Sequence, residues 1–390
     1  MLVAILAGAA PAAAQSNTRL LLSIGGGVPG HPGFVFGPFS HLAMNEAKEI
    51  VFLTSLRSSR NEIPAVVRSV GVTFDVVVFQ GLRSPVPKTT LDTFSAPSLN
   101  NAGMIALTAT LKDHEESPSS AVVRLDDSGA KAVATAGDPV PGTPDTKFQE
   151  FSAPLINSRG DVVFGARFEG KKVGTGLFLW SPRGVQALPL PAGLKVLSKD
   201  LLEPVFFSHD EAVFALRGTP PSMAIEQFFR ALAVRSFQDL TPPVDPANSV
   251  EILPAQAGED PVQMVLVLME GEGAQTALLA GDPSQPVKAR KPAPGSVLKP
   301  FREVQGQAAG ASGHIIFAAT AADDPGDLGL YCYCEAQVTR LTSPEDFLSI
   351  TQSAPGKPLL SVVSDTQRTL AFIAPAGNEP SAAIYVTSVP

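Results

Sequence analysis

Seven times along this chain the same short pattern recurs: an apolar position, a proline three residues on, then Asn-x-x-Gly-x-x-x-Phe. Its clearest copy runs from Phe148 to Trp180, FQEFSAPLINSRGDVVFGARFEGKKVGTGLFLW. Aligned on the large apolar residue that ends the pattern, the copies fall at Phe52, Leu107, Phe164, Phe214, Met264, Phe317 and Phe372, at spacings of 55, 57, 50, 50, 53 and 55 residues. Periods of this length identify a fold built from stacked supersecondary units. Other columns keep the register. Ten positions before the anchor stand Leu42, Pro97, Pro154, Pro204, Pro254, Gln307 and Val362. The asparagine column reads Asn45, Asn100, Asn157, Phe207, Ala257, Gly310 and Asp365, and the glycine column Lys48, Gly103, Gly160, Asp210, Asp260, Gly313 and Arg368, so the central copies have drifted most.

Each copy divides into four runs of strand composition separated by turn residues. Asn157 and Gly160 fall in the first hairpin, where a small polar residue and a glycine supply the left-handed backbone of a tight turn. The asparagines are therefore read as turn formers ahead of ligands. Seven four-stranded units predict an all-β chain folded as a seven-bladed β-propeller, a single domain over residues 16–390. A proline cannot donate to a ladder, so its column is expected on the inner edge strand, at a central channel. The seventh copy lacks a fourth strand after Ala383–Thr387. The missing piece lies at the other end, because Thr18–Gly25 followed by GGVPG matches Ala130–Gly137 followed by DPVPG. An N-terminal strand completing the last blade would close the ring and cover both edges.

The copies NNAGMIAL at Asn100–Leu107, NSRGDVVF at Asn157–Phe164 and NEAKEIVF at Asn45–Phe52 resemble those of exported bacterial proteins with tandem NxxGxxxF repeats, many of which carry interchangeable C-terminal anchors. The resemblance spans nearly all of the chain after its first residues. It implies a propeller-like fold and an exported, uncharacterised protein, and no activity.

Composition narrows the partners. The net charge of -8 and the lack of a Lys/Arg stripe argue against nucleic acid. MLVAILAGAAPAAAQS reads as the apolar core of a signal peptide over residues 1–15, with an A-x-A site at Ala12–Ala14, although the usual preceding basic residues are missing. Export to the periplasm or beyond, no membrane span in the mature chain and a monomer are expected. The two cysteines, Cys332 and Cys334, exclude a disulfide framework.

No motif declares a reaction. In a propeller the fourth-to-first and second-to-third connections share one face, and this long-loop face would carry Arg57, Arg60, Asp113, His114, Asp138, Asp323 and Asp324. Its acids raise calcium as a ligand, but no loop has a calcium-motif spacing, so no cofactor or metal is assigned. Fourteen positions before the anchor, Glu150, Asp200 and Glu303 share one structural position, as carboxylates near a channel would in a carbohydrate hydrolase or lyase. A Cys332, Cys334 and His314 clip is set aside: pairing Thr320 with Gly329 would put Cys332 opposite Phe317 and His314 on the other face. The Gly25–Gly33 run lacks the Lys-Ser/Thr end of a phosphate loop. A binding or structural module for a glycan, a protein or an envelope component is the leading expectation, with the carbohydrate-active enzyme as its alternative.

Overall fold

The computed structural model describes residues 19–113, 118–188, 201–207, 213–217, 249–252, 264–269, 276–281, 301–309, 315–321, 328–334, 337–340, 361–364, 369–376 and 379–388. All regular structure among them is β-strand, and the strands fall into antiparallel sheets numbered here in chain order. The first sheet is Val35–Met44, Glu49–Arg57, Glu62–Val70 and Thr73–Phe79, paired strictly in sequence. The second and third repeat this order, and each has its first strand interrupted: Thr90–Phe94 with Ser98–Leu99, and Thr146–Phe151 with Leu155–Ile156. Two strands of a fourth sheet, three of a fifth, four of a sixth and four of a seventh follow among the described residues.

The N-terminal strand Arg19–Ser23 belongs to the seventh sheet. It pairs antiparallel with Glu379–Ser388, bringing Leu20 opposite Tyr385 and Leu22 opposite Ile384. The two ends of the chain thus build one sheet, and the outer edge of the last C-terminal strand is covered.

Strand alternation explains how neighbouring sheets meet. Phe52, on one face of the first sheet, packs with Phe36, Phe39 and Leu42 against Ala371, Ile373, Ile384 and Val386 of the seventh. Val51, one residue earlier, faces the other way and packs with Val66 and Val78 against Leu107 and Leu111 of the second sheet. The rule repeats, with Ala106 and Val122 of the second sheet against Phe148, Phe164 and Phe178 of the third. Val163 and Leu179 of the third then meet Leu202 of the fourth. In each described case the anchor residue faces the preceding sheet and the residue before it the following one. Sheets buried on both faces need apolar residues at successive positions, which is why the second strands read EIVFL, MIALT and DVVFG. Gly165 lets the third and fourth sheets approach closely, since a Cβ there would stand 1.6 Å from the Leu202 carbonyl oxygen.

The asparagine column does more than shape a turn. Asn100 Oδ1 accepts hydrogen bonds from the amides of Ala102 (3.0 Å) and Met104 (2.9 Å), closing its own hairpin. Its Nδ2 then donates across the sheet boundary to the Asn157 carbonyl at 2.8 Å. Asn45 makes the same reach to the Asn100 carbonyl at 3.0 Å. Each buried amide therefore ties its own turn to the next sheet's turn. Beside this chain sits a second tie. Arg68 and Arg124 occupy matching third-strand positions, and a Cβ at Gly103 or Gly160 of the following sheet would come within 2.7 Å or 3.3 Å of their guanidinium groups. The glycine column thus serves both a left-handed φ of 75° and 81° and a close approach.

The proline column falls on the first strand, at the edge of its sheet, and Pro97 and Pro154 are buried at the break in that strand. There the Ser95 and Ser152 hydroxyls each accept a backbone amide of the second strand at 2.9 Å, taking over the ladder that the proline cannot continue. In the drifted fourth sheet Pro204 pairs with Ala215, one residue beyond the aligned Phe214. In the sixth sheet Thr320 pairs with Leu328 and Cys332 with Ile316, a one-residue difference from the expected register, and one residue exchanges the faces of a strand. His314 lies outside the described residues.

Replacing Asn100 with Ala removes a buried donor across the boundary and leaves the Ala102 and Met104 amides of the hairpin without their acceptor. Urea unfolding of Asn100→Ala is expected to show a loss of about 2–4 kcal/mol, against less than about 0.5 kcal/mol for the exposed Arg183→Ala.

Candidate functional site

In sheets that run first to fourth strand in order, the second-to-third loops and the connectors to the next sheet emerge at one end, and the NxxG turns at the other. The loop end is ordered by repetition. Gly25, Gly81 and Gly137 each donate their amide to Phe36, Leu91 and Phe148 at 2.8 Å, starting three equivalent connectors. Val28-Pro-Gly-His-Pro-Gly-Phe34 and Val140-Pro-Gly-Thr-Pro-Asp-Thr146 then follow one path, with Val28 bonded to the Phe34 carbonyl at 3.1 Å and Val140 to that of Thr146 at 2.9 Å. Proline followed by a left-handed residue is type II turn chemistry, and Gly30 and Gly142 carry φ of 74° and 70°. The middle connector is one residue shorter between the matching bonds and keeps the final turn, Val86-Pro87-Lys88-Thr89. Here a lysine, Lys88, takes the left-handed position at φ 66°, where Gly33 and Asp145 stand in the other two.

The charged residues at this end are mostly paired within their own sheet. Arg57 Nε meets Glu62 at 2.9 Å, where the Ser55 hydroxyl also donates at 2.7 Å. Those two hydrogen bonds, from Ser55 and then Arg57, hold the Glu62 carboxyl below its ordinary range. Gly37 makes room for the trio, because a Cβ there would stand 2.0 Å from Ser55 Oγ. In the second sheet Asp92 accepts from Gln80 at 2.7 Å and Lys112 at 3.0 Å, and its carboxyl is likewise lowered, chiefly by the Gln80 amide. In the third sheet Glu150 pairs with Arg167 at 2.8 Å.

These facts place the sequence candidates. Glu150 stands opposite Arg167 and Glu303 opposite Thr320, each three residues past its anchor, so the two glutamates do share one ladder position in the third and sixth sheets. Glu150 is exposed and committed to Arg167. Asp200, His114, Asp323 and Asp324 lie outside the described residues. Arg57 is engaged with Glu62, Arg60 is exposed at the tip of the second-to-third loop, and Asp113 follows Lys112, the last residue of the second strand of its sheet. Asp138 caps its own connector by accepting the Thr135 amide at 2.8 Å. Among the described residues no three His, Cys, Asp or Glu side chains gather as a metal would need.

Two features escaped the sequence reading. His41 sits in the first strand with φ 49°, where an extra residue bulges between Ser40 and Leu42, and burial lowers its imidazole below 6.5. Arg83 and Lys88 were passed over because GLRSPVPKT was not aligned with GGVPGHPGF and GDPVPGTPDT, the comparison that would have found them.

The opposite end carries a tighter cluster. Arg124 donates to Asp126 at 2.6 Å and to the Gly160 carbonyl at 3.3 Å, and lies over the Trp180 ring at 5.1 Å. Asp126 also accepts from the Ser128 hydroxyl and, at 2.9 Å, from its amide. These bonds, that of the Ser128 hydroxyl first, hold the Asp126 carboxyl far below 3.8.

Comparison with known proteins adds a family and a set of distant likenesses. A family model described as a family of unknown function (DUF7453) matches residues 8–184, the part that ends within the third sheet. No curated protein matches the chain. Among solved structures, acylaminoacyl peptidase in complex with Z-Gly-Gly-Phe-chloromethyl ketone is similar at 11% identity and a TM-score of 0.42, over 90% of this chain and 51% of that one. The Hadza microbial sialidase Hz136 is similar at 12% identity and a TM-score of 0.37, over 91% and 65%. The GH43_1 enzyme from Xanthomonas citri complexed with xylose is similar at 11% identity and a TM-score of 0.34, over 96% and 90%. The chain spans about half to two thirds of the length of the first two. At such scores these likenesses assign it no activity.

Two outcomes follow from the ion pairs. Glu150→Gln should change stability by no more than about 0.5 kcal/mol, since exposed pairs contribute little. Asp126 has a depressed folded-state pKa, so its contribution is present above 3.8 and is lost as pH falls below that value. Urea midpoints of the wild type should therefore decline below 3.8, and Asp126→Asn should start lower and decline less.

Proposed function

We propose that this chain is an exported seven-bladed β-propeller that serves as a binding or structural module, recognising a glycan, a protein or an envelope component through its loop face. The observation that carries the reading is the composite seventh sheet. Arg19–Ser23 pairs with Glu379–Ser388, and the first sheet packs its Phe36, Phe39 and Phe52 face onto that sheet. A chain whose last sheet abuts its first, through a succession of sheets packed face to face, has the connectivity of a closed ring with a shared loop face. The seven anchors, each on a strand paired with the one before it in its sheet, support seven blades. Export is supported by the apolar leader over residues 1–15.

A module that binds is favoured over a hydrolase by the state of Glu150. A hydrolase of the expected kind uses two carboxyls separated by less than about 10 Å and aimed at one bond. Glu150 instead points its charge at Arg167 of its own sheet. The ordered connectors of the loop end, with their repeated Pro-Gly turns, offer a rigid surface of the kind that limits the entropic cost of binding.

Deleting residues 1–23 from the chain is expected to lower the thermal midpoint by several degrees and to broaden the transition, because it removes the ladder to Glu379–Ser388 and the packing of Leu21 and Leu22. A synthetic peptide of residues 17–26 added to the deletion variant should restore the midpoint. An unchanged midpoint would sink the closure. For the activity, the intact protein screened against immobilised glycans and an envelope extract should retain a ligand without releasing reducing ends. Turnover of a polysaccharide that is lost in Glu150→Gln would overturn the reading in favour of the enzyme.

A further inference from the structure

Two loops at the same end of the first sheet carry cations and no acid, as does the Lys171–Lys172 loop of the third sheet. The loop between its second and third strands carries Arg60, and the connector that leaves its fourth strand carries Arg83 and Lys88. All three are exposed, and none has an ion-pair partner among the described residues, whereas Arg57, Lys112 and Arg167 at this end are paired. The acid adjoining these loops, Glu62, is already satisfied by Arg57 and Ser55. Of the described acids at the loop end, Asp138, which accepts the Thr135 amide, and Asp145 stand on the connector from the second sheet to the third, and Glu169 stands in the third sheet.

The two loops are held side by side. Gln80, where the connector begins, donates its amide to the Pro64 carbonyl at 3.0 Å, and Pro64 lies two residues beyond the end of the Arg60 loop. Ala65 pairs with Phe79, and the His31 ring stands edge-on to Phe79 at 5.5 Å, so the preceding connector braces the same corner. Lys88 is the unusual member. It occupies the left-handed position of a turn that Gly33 and Asp145 hold in the other two connectors, a conformation that costs a side-chain-bearing residue free energy and that Asp tolerates better than Lys. A residue that breaks a local rule with no compensating contact is where a use for the side chain is expected.

We propose that Arg60, Arg83 and Lys88 form a cationic docking patch for an acidic polysaccharide, the ligand class of the loop face. The proposal rests on the binding reading above and sharpens it. A protein partner would want an apolar or aromatic anchor at the centre of its contact. The exposed large apolar side chains described, Leu20, Val35, Val70, Val72 and Val173, include none from these two loops. Spaced cations without an apolar centre suit a polymer that repeats a carboxylate along its length, and such attraction is screened by salt.

The test measures binding of the intact protein to polygalacturonate, with dextran as the neutral polymer and phosphatidylglycerol vesicles as the competing anionic surface. Binding should be strongest at 20 mM salt and fall steeply by 300 mM. Arg60→Glu with Arg83→Glu should abolish it, and Lys88→Gly should weaken it about two- to fivefold while leaving the thermal midpoint unchanged or higher. That last pair of readouts separates a used lysine from a structural one. Wild-type affinity in both the double variant and Lys88→Gly, or no binding to polygalacturonate, overturns the proposal. Equal binding to dextran overturns the acidic preference and leaves the broader glycan reading standing. Preference for the vesicles overturns it in favour of a lipid surface. Release of reducing ends from the polymer overturns the binding module itself.

Discussion

The side-chain amide of an asparagine holds this fold in register. At Asn45 and Asn100 one group does two jobs: its oxygen closes the hairpin of its own sheet, and its nitrogen donates to the carbonyl of the next asparagine. Both ends are buried, so leaving either unmade costs more than the bond itself contributes. The turn and the stacking of sheets are therefore set by the same atoms. Asn157 shows what happens when the next partner changes. Position 207 is a phenylalanine, and among the described residues Asn157 Nδ2 keeps the bond to the acid of its own hairpin, Asp161 at 3.3 Å, the counterpart of that from Asn45 to Glu49 at 2.7 Å.

Glycine follows the same logic. Gly103 and Gly160 are needed for a left-handed turn, and the space they leave is taken by Arg68 and Arg124 of the preceding sheet. At the next matching position the third strand carries Leu179, which pairs with Val163, and the following sheet has Asp210 in the glycine column. The arginine and the glycine thus disappear together. Between the third and fourth sheets the close approach moves to Gly165, which meets the backbone of Leu202 directly. The apolar faces then do what they do in any stacked sheet, alternating between the preceding and following neighbour, with aromatic pairs such as Phe148 and Phe178 at 4.8 Å filling the third sheet's core.

Much of this was legible in the chain. The anchors Phe52, Leu107, Phe164, Phe317 and Phe372 all fall on second strands, and the match between Thr18–Gly25 and Ala130–Gly137 located the strand that pairs with the C-terminus. Pro97 and Pro154 stand on the edge strand, as a residue without a donor does, and the serine two residues earlier supplies the acceptor where that strand breaks. The misreading is local. Thr320 was paired one residue too far along, and a single residue is enough to exchange the faces of Cys332. At the site, Glu150 was visible as a carboxylate in a shared column, while its partner Arg167 lies on another strand, where no column of the first would reveal it.

By itself the sequence determined the repeat, the all-β class and the meeting of the two chain ends, because each is written in side chains whose preferences act over a few residues: turn formers, alternating apolar positions and prolines. The tertiary structure alone decided which charges are spent and which remain. Arg57, Lys112 and Arg167 meet acids across a hairpin or a ladder, whereas Arg60, Arg83 and Lys88 have no ion-pair partner among the described residues. The reason is geometric. An ion pair depends on a separation of a few ångströms between groups on different strands, and that distance is set by which residues the ladder of a sheet brings opposite one another, which leaves no periodic mark along the chain.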